Sequence, residues 1–174
     1  MLLLAAVIGF LAGLASTLFR WLIDFFGMVF SSEGLAWIGI TGSSIPFLLP
    51  LMPMVGGIIT GIICHFFPDA VKENGVHRVM HAVALKAGKI RKHTLLTCST
   101  TSALTIGSGG SAGREGPTVQ IGSAVGSALG NMFHLSHERV QVLVGCGAAA
   151  GIAASFNAPL AGVLFALEII LTDF

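Results

Sequence analysis

Eleven residues near the middle of the chain gather the groups that could do chemistry: Gly107-Ser108-Gly109-Gly110-Ser111-Ala112-Gly113-Arg114-Glu115-Gly116-Pro117. A phosphate cradle is the first reading to test, and it fails. There is no Gly-Lys-Ser/Thr, no G-x-G-x-x-G register and no strand-like segment ahead of the loop. Nucleophilic chemistry fails too, because Ser108 and Ser111 lack a plausible base. What remains is a backbone site. Five glycines in eleven residues break a helix between two apolar stretches. Irregular backbone at membrane depth is tolerated only where protein buries it or where it lines a water-filled cavity. Pro117 suits the first position of a new helix, since its missing N–H would have no partner there. The free first-turn N–H groups and the positive dipole end of that helix would form an anion site. Glu115 stands at its mouth. As an anion it can occupy the site itself, and protonation would release it, which makes it a gate and a candidate proton carrier. A plain Arg114–Glu115 salt bridge in an interfacial loop is the competing explanation.

The elements that must position this loop belong to a membrane. Of 174 residues, 54% are hydrophobic and only 10% charged, and mean hydropathy is +0.89. Soluble domains carry about 25% charge, so this chain cannot cover a water-exposed surface, and disorder is excluded by the same numbers. A formal net charge of +1 gives no field for nucleic acid. Met1 to about Phe30 is long enough to span and is read as a spanning helix rather than a leader, since no small-residue cleavage site follows Arg20. About Pro46 to Phe67 is a second span, with Trp37 between them as an interfacial anchor. Asp69 to His93 is the most polar segment and holds six of the nine basic residues. By the positive-inside rule the Lys72–Lys92 loop is expected in the cytoplasm. Thr118 to Phe133 reads as a glycine-striped helix, Val140 to Leu167 as an uncharged run, and Pro159 to Asp173 as a final helix with Asn157 as its cap. Glycines four apart (Gly9/Gly13, Gly57/Gly61, Gly122/Gly126/Gly130, Gly147/Gly151) predict close helix packing. The expected class is an all-α integral membrane protein with tilted and broken transmembrane helices.

Metal and cofactor chemistry are not expected. His77/His81 and His134/His137 have suggestive spacings but no third ligand nearby in sequence. Cys64, Cys98 and Cys146 form no C-x-x-C pair and read as small core residues.

Two longer strings resemble one family. Gly113-Arg114-Glu115-Gly116-Pro117-Thr118-Val119-Gln120-Ile121-Gly122, together with Gly147 to Gly162 around Ser155-Phe156-Asn157-Ala158-Pro159, is similar to the CLC chloride channels and chloride/proton antiporters. The resemblance covers essentially residues 1–174 and implies the first half of a CLC-type inverted repeat. The second half is missing, and with it the chloride-binding tyrosine of that family; this sequence contains no Tyr. The resemblance implies Glu115 as gating glutamate, with Arg114, Gly116 and Pro117 beside the anion. It also implies a central anion loop at Glu73-Asn74-Gly75-Val76-His77, so Asn74, Gly75 and Val76 are expected near Glu115. Asn74 stands where the family commonly has a serine. A decoy, Gly42-Ser43-Ser44-Ile45-Pro46, lies too far upstream. Where antiporters carry paired glutamates, this chain has Glu168-Ile169, so the internal proton-transfer position is lost at Ile169.

The function expected from this is selective passage of chloride or a similar small anion through a multi-pass protein of a cell inner or plasma membrane. The family works as a homodimer with one pore per subunit. Ile169 favours a passive channel, because an apolar side chain cannot relay a proton. The alternatives are proton-coupled antiport of chloride or fluoride and, from other classes, a non-transporting structural fragment or an intramembrane enzyme.

Overall fold

A computed structural model describes residues 1–31, 51–68, 75–86, 88–90 and 92–171. These residues form seven α-helices, and no strand occurs among them. The helices are α1 (Leu2–Val29), α2 (Leu51–Phe66), α3 (Val76–Leu85), α4 (Lys92–Gly107), α5 (Glu115–Met132), α6 (His137–Phe156) and α7 (Pro159–Phe165). A π-helical segment, Ala166–Leu171, continues α7.

α1 is 28 residues long, about 42 Å at 1.5 Å per residue, long enough to cross a hydrocarbon core of about 30 Å even when tilted. Its buried side, Ile8, Ala12, Ser16 and Phe19, follows the helical repeat and packs on α4, α5 and α6. Leu3, Phe10, Leu14, Leu18 and Trp21 cover the opposite side and are exposed, as a lipid-facing surface is. Among the described residues, α1 and α6 are the two helices long and apolar enough to cross a membrane; Leu51–Phe66 and Pro159–Leu171 are shorter apolar helices.

The core is the α5–α6 pair. A Cβ at Gly122 would overlap the Gly147 carbonyl, one at Gly147 the Gly122 carbonyl, and one at Gly126 the Leu143 carbonyl. Gly151 would place its Cβ 2.8 Å from the Thr118 carbonyl. Here the four-residue glycine spacing brings two backbones into contact, as the sequence predicts. Gly9, Gly57 and Gly61 meet nothing within 4 Å among the described residues, whereas Gly13 meets the Ala154 Cβ at 3.9 Å.

Several boundaries differ from the sequence reading. The polar segment Asp69–His93 contains a helix, α3, whose Val79, Ala82 and Val83 are buried. Those apolar residues recur at helical spacing among the cations, and packing overrides the polar average. α5 starts at Glu115, so Pro117 is the third residue of the helix rather than the first. The physical reason still holds, because none of the first-turn N–H groups has an intrahelical acceptor. Asn157 does not cap the final helix. It closes α6 in the left-handed conformation (φ 53°), which asparagine tolerates, and Ala158 is the N-cap of α7 with Pro159 next to it. Trp37, the start of the second span and Thr172–Phe174 lie outside the described residues.

Candidate functional site

α4 ends at Gly107 in a Schellman motif. Gly110 N–H donates to the Thr105 carbonyl (2.9 Å), Gly109 N–H to that of Ile106 (3.0 Å), and Gly109 takes φ 91°. The chain then runs without helix through Ser111 and Ala112 to Arg114 and re-enters helix at Glu115. Thr118 N–H is bonded to the Arg114 carbonyl (3.1 Å). The amides of Glu115 and Gly116 precede that bond and have no acceptor within the helix. Glu115 is exposed, and its carboxylate folds back against the backbone of Gly113, where any Cβ would collide with it.

A second helix start meets the first. Gly75, N-cap of α3, has φ 64° and ψ −134°, and a Cβ on it would lie 3.0 Å from Gly116 Cα. The reciprocal distance, from a Cβ on Gly116 to Gly75 Cα, is 3.2 Å. Only glycines allow this approach, and at Gly75 the positive φ requires one as well. So the starts of α3 and α5, about forty residues apart in sequence, touch backbone to backbone. Each is a helix start, whose first-turn N–H groups have no acceptor within the helix and whose dipole end is positive. Together they can hold a small anion or a carboxylate without any charged side chain.

Arg114, Glu115, Gly116 and Pro117 are thus brought together with Gly75 and Val76. Asn74 lies outside the described residues, as does the decoy Gly42–Pro46. Ile169 is not near this cluster. It lies in the π segment and lines a cavity of about 390 Å³ with Met80, Val83, Ala84, Glu138 and Gln141. Glu138 sits in the first turn of α6, whereas Arg114 stacks over Phe156 at its far end, 5.0 Å from the ring centroid. Glu115 and Ile169 therefore occupy opposite ends of α6. No group of three or more His, Cys, Asp or Glu able to hold a metal occurs among the described residues.

A supporting network emerged only with the structure. Arg20 of α1 donates to the carbonyls of Ala154 (3.0 Å) and Ser155 (2.7 Å), the last turn of α6. The Ser155 hydroxyl pairs with that of Thr118 (3.2 Å), and Thr118 Oγ1 also donates to the Arg114 carbonyl (2.6 Å). A cation in an apolar span is costly. Here it satisfies carbonyls that the helix end leaves free and sits at the negative pole of α6. The cluster hangs from this end. Arg20→Gln is expected to cost about 1–3 kcal/mol, the range for charge-assisted bonds whose acceptors are left unpaired. Heating the complete protein in detergent and following the soluble fraction checks this, and Arg20→Lys should recover part of the loss. Only Arg20 itself, the one cation of α1 and four residues from its one acid, Asp24, could have pointed to this network.

Broken helices whose starts converge, with a carboxylate at the junction and lipid-facing apolar surface around them, define a membrane protein of the ion-pathway type. The chain belongs to the voltage-gated chloride channel family, whose model matches residues 56–174. It is 33% identical to a putative chloride channel protein ClcB-like of Ralstonia nicotianae, over 98% of this chain and 41% of that protein. It is 34% identical to the H(+)/Cl(-) exchange transporter ClcA of Cronobacter sakazakii, over 99% of this chain and 37% of that one. Among solved structures, a CLC-type fluoride/proton antiporter matches with TM-score 0.73 and 30% identity, over 95% of this chain and 38% of that one. The all-helical fold and the membrane class expected from the sequence are borne out. The chain spans about two fifths of the length of these relatives.

Proposed function

We propose that this chain forms the gating half of an anion-transport pathway, and that the complete protein exchanges a small halide for protons. The observation that carries the reading is the contact between Gly75 and Gly116, which sets two helix starts against each other beside Glu115. The carboxylate and a free anion would compete for the same amides, and protonation of Glu115 would yield the site to the anion. Asn74, next to Gly75, would add an amide donor to it. The bilayer and the remaining repeat of the same protein are the surroundings this half requires. A homodimer with the Lys72–Lys92 segment in the cytoplasm fits the family and the distribution of cations.

Ile169 points to a passive channel, and that remains the second reading, since no proton can pass through an isoleucine. The relatives weigh the other way. Proteins similar to nearly the whole of this chain are named H(+)/Cl(-) exchangers, and the matching solved structure is named a fluoride/proton antiporter. Antiport therefore stands first, with a proton route that does not use Ile169.

The two readings separate in proteoliposomes holding the complete protein. With a chloride or fluoride gradient and no proton gradient, exchange drives protons uphill against their own electrochemical gradient, and a channel does not. Uphill proton movement is the expected result. Anion flux that leaves protons at equilibrium would return the protein to the channel reading.

A further inference from the structure

The polar side chains of α4 divide by what they bond. Ser99, Thr100, Thr101 and Ser108 turn back on their own helix and donate to the carbonyls of Leu95, Leu96, Thr97 and Thr105. That is how a hydroxyl inside an apolar span is ordinarily satisfied. Cys98 points away from its helix. It is 5% exposed, and its thiol crosses to α5 and donates to Gln120 Oε1 (3.2 Å). The Gly75 N–H at the start of α3 is directed at the same sulfur, as is the Ser102 hydroxyl one turn along α4. One sulfur therefore meets α3, α4 and α5.

This meeting point lies against the helix junction. Gly75 is the residue in backbone contact with Gly116, and Gln120 follows Gly116 by four residues, on the same side of α5. Gln120 is 1% exposed and its Nε2 has no partner among the described residues, so the bond from the thiol is what orients its amide. Gly75 has no side chain to hold its place, and its N–H has no acceptor within α3. The sulfur can serve both neighbours at once, because a thiol is a weak acceptor as well as a weak donor. It occupies the N-cap amide of α3, so the amides left for an anion or for the Glu115 carboxylate begin at Val76.

We propose that Cys98 is a positioning residue for the anion: its thiol ties the start of α3 to α5 and fixes the distance between the amides on the two sides of the Gly75–Gly116 contact. The inference rests on the reading of this junction as an anion site. Cys98 itself touches no anion. The contact it holds has no slack, since a Cβ on either glycine would lie 3.0 or 3.2 Å from the other's Cα. Two bare glycines nevertheless hold each other poorly, because few atoms meet and each pair attracts weakly. Without a tie the starts of α3 and α5 can drift apart, and donors aimed at one point then diverge. Binding of the anion weakens, whereas steps that do not involve these amides keep their rates.

The test uses the complete protein in proteoliposomes, with initial anion flux measured over a range of chloride and of fluoride concentrations. Cys98→Ser keeps a donor and an acceptor on the same Cβ, and Cys98→Ala keeps neither; as space-fillers the two are near equals. The expected result is that Cys98→Ala raises the anion concentration at half-maximal flux about fivefold, the scale of one net hydrogen bond, with maximal flux close to wild type. Cys98→Ser should stay near wild type in both. Gln120→Met removes the acceptor from the other side and should give the same rise, and the double variant should be no worse than either single one. If Cys98→Ala does not fold, Gln120→Met decides alone. Serine and alanine altering flux alike overturns the proposal, since Cys98 would then only fill space. A wild-type half-saturation in the folded variants overturns it too, as does a fall in maximal flux at unchanged half-saturation; each leaves the anion site intact. A wild-type protein that carries neither anion refutes the site and this inference with it.

Discussion

Glu115→Gln in the complete protein should pass anions at a rate nearly independent of external pH and should move no protons. The wild type should open as pH falls. Ionised Glu115 carries the charge that competes for the amides at the starts of α3 and α5; the neutral acid does not, and glutamine reproduces the neutral acid in size and charge. The wild-type flux should therefore rise as external pH falls, while the mutant slope stays near zero. Flux and proton uptake measured between mildly acidic and neutral external pH decide it. Unaltered pH dependence in Glu115→Gln would remove Glu115 from the mechanism, and with it the gating role proposed for the helix junction.

Much of this junction is legible in the residues. The glycine run announces the break between α4 and α5, and Glu115 and Pro117 announce the helix start beyond it. Physics supplies the rest of that reading, since a helix start inside a membrane exposes N–H groups. The partner start at Gly75 is reached through resemblance alone. Nothing in the string Glu73-Asn74-Gly75-Val76-His77 says that it touches residue 116, because a contact across forty residues is a property of packing. The lone Arg20 is visible in an apolar span, but its acceptors on α6 are not, for the same reason.

Two differences between sequence and structure share a cause. Asn157 reads forward, as the cap of α7, yet it closes α6 backward with φ 53°. Asparagine before Ala-Pro is compatible with either role, and only the backbone chooses. The polar segment before α4 reads as loop because six cations dominate its composition, while Val79, Ala82 and Val83 build a buried helical face within it. In both cases local chemistry allows two answers and tertiary packing selects one.

Gly122→Ala is the substitution expected to harm the fold most for its size. Its Cβ would overlap the carbonyl of Gly147, which belongs to a helix backbone and cannot turn away. Relief requires α5 and α6 to separate, and that would also open the contacts at Gly126 and between Gly151 and Thr118. Overpacking of this kind costs about 1–3 kcal/mol and more where nothing can yield, so Gly122→Ala should lie at the upper end and lower the folded yield of the complete protein. Gly130→Ala is the internal comparison. Its Cβ meets the tips of the Val140 side chain at 3.1 and 3.3 Å. A valine methyl can give by a few tenths of an ångström, and alanine regains up to about 1 kcal/mol of helix propensity over glycine. Monodisperse yield and the temperature of half-loss in detergent, read on both variants, give the order. Gly122→Ala as tolerant as Gly130→Ala would mean that α5 and α6 do not meet backbone to backbone, and the end of α6 could then not hold the Arg114–Glu115 turn in place.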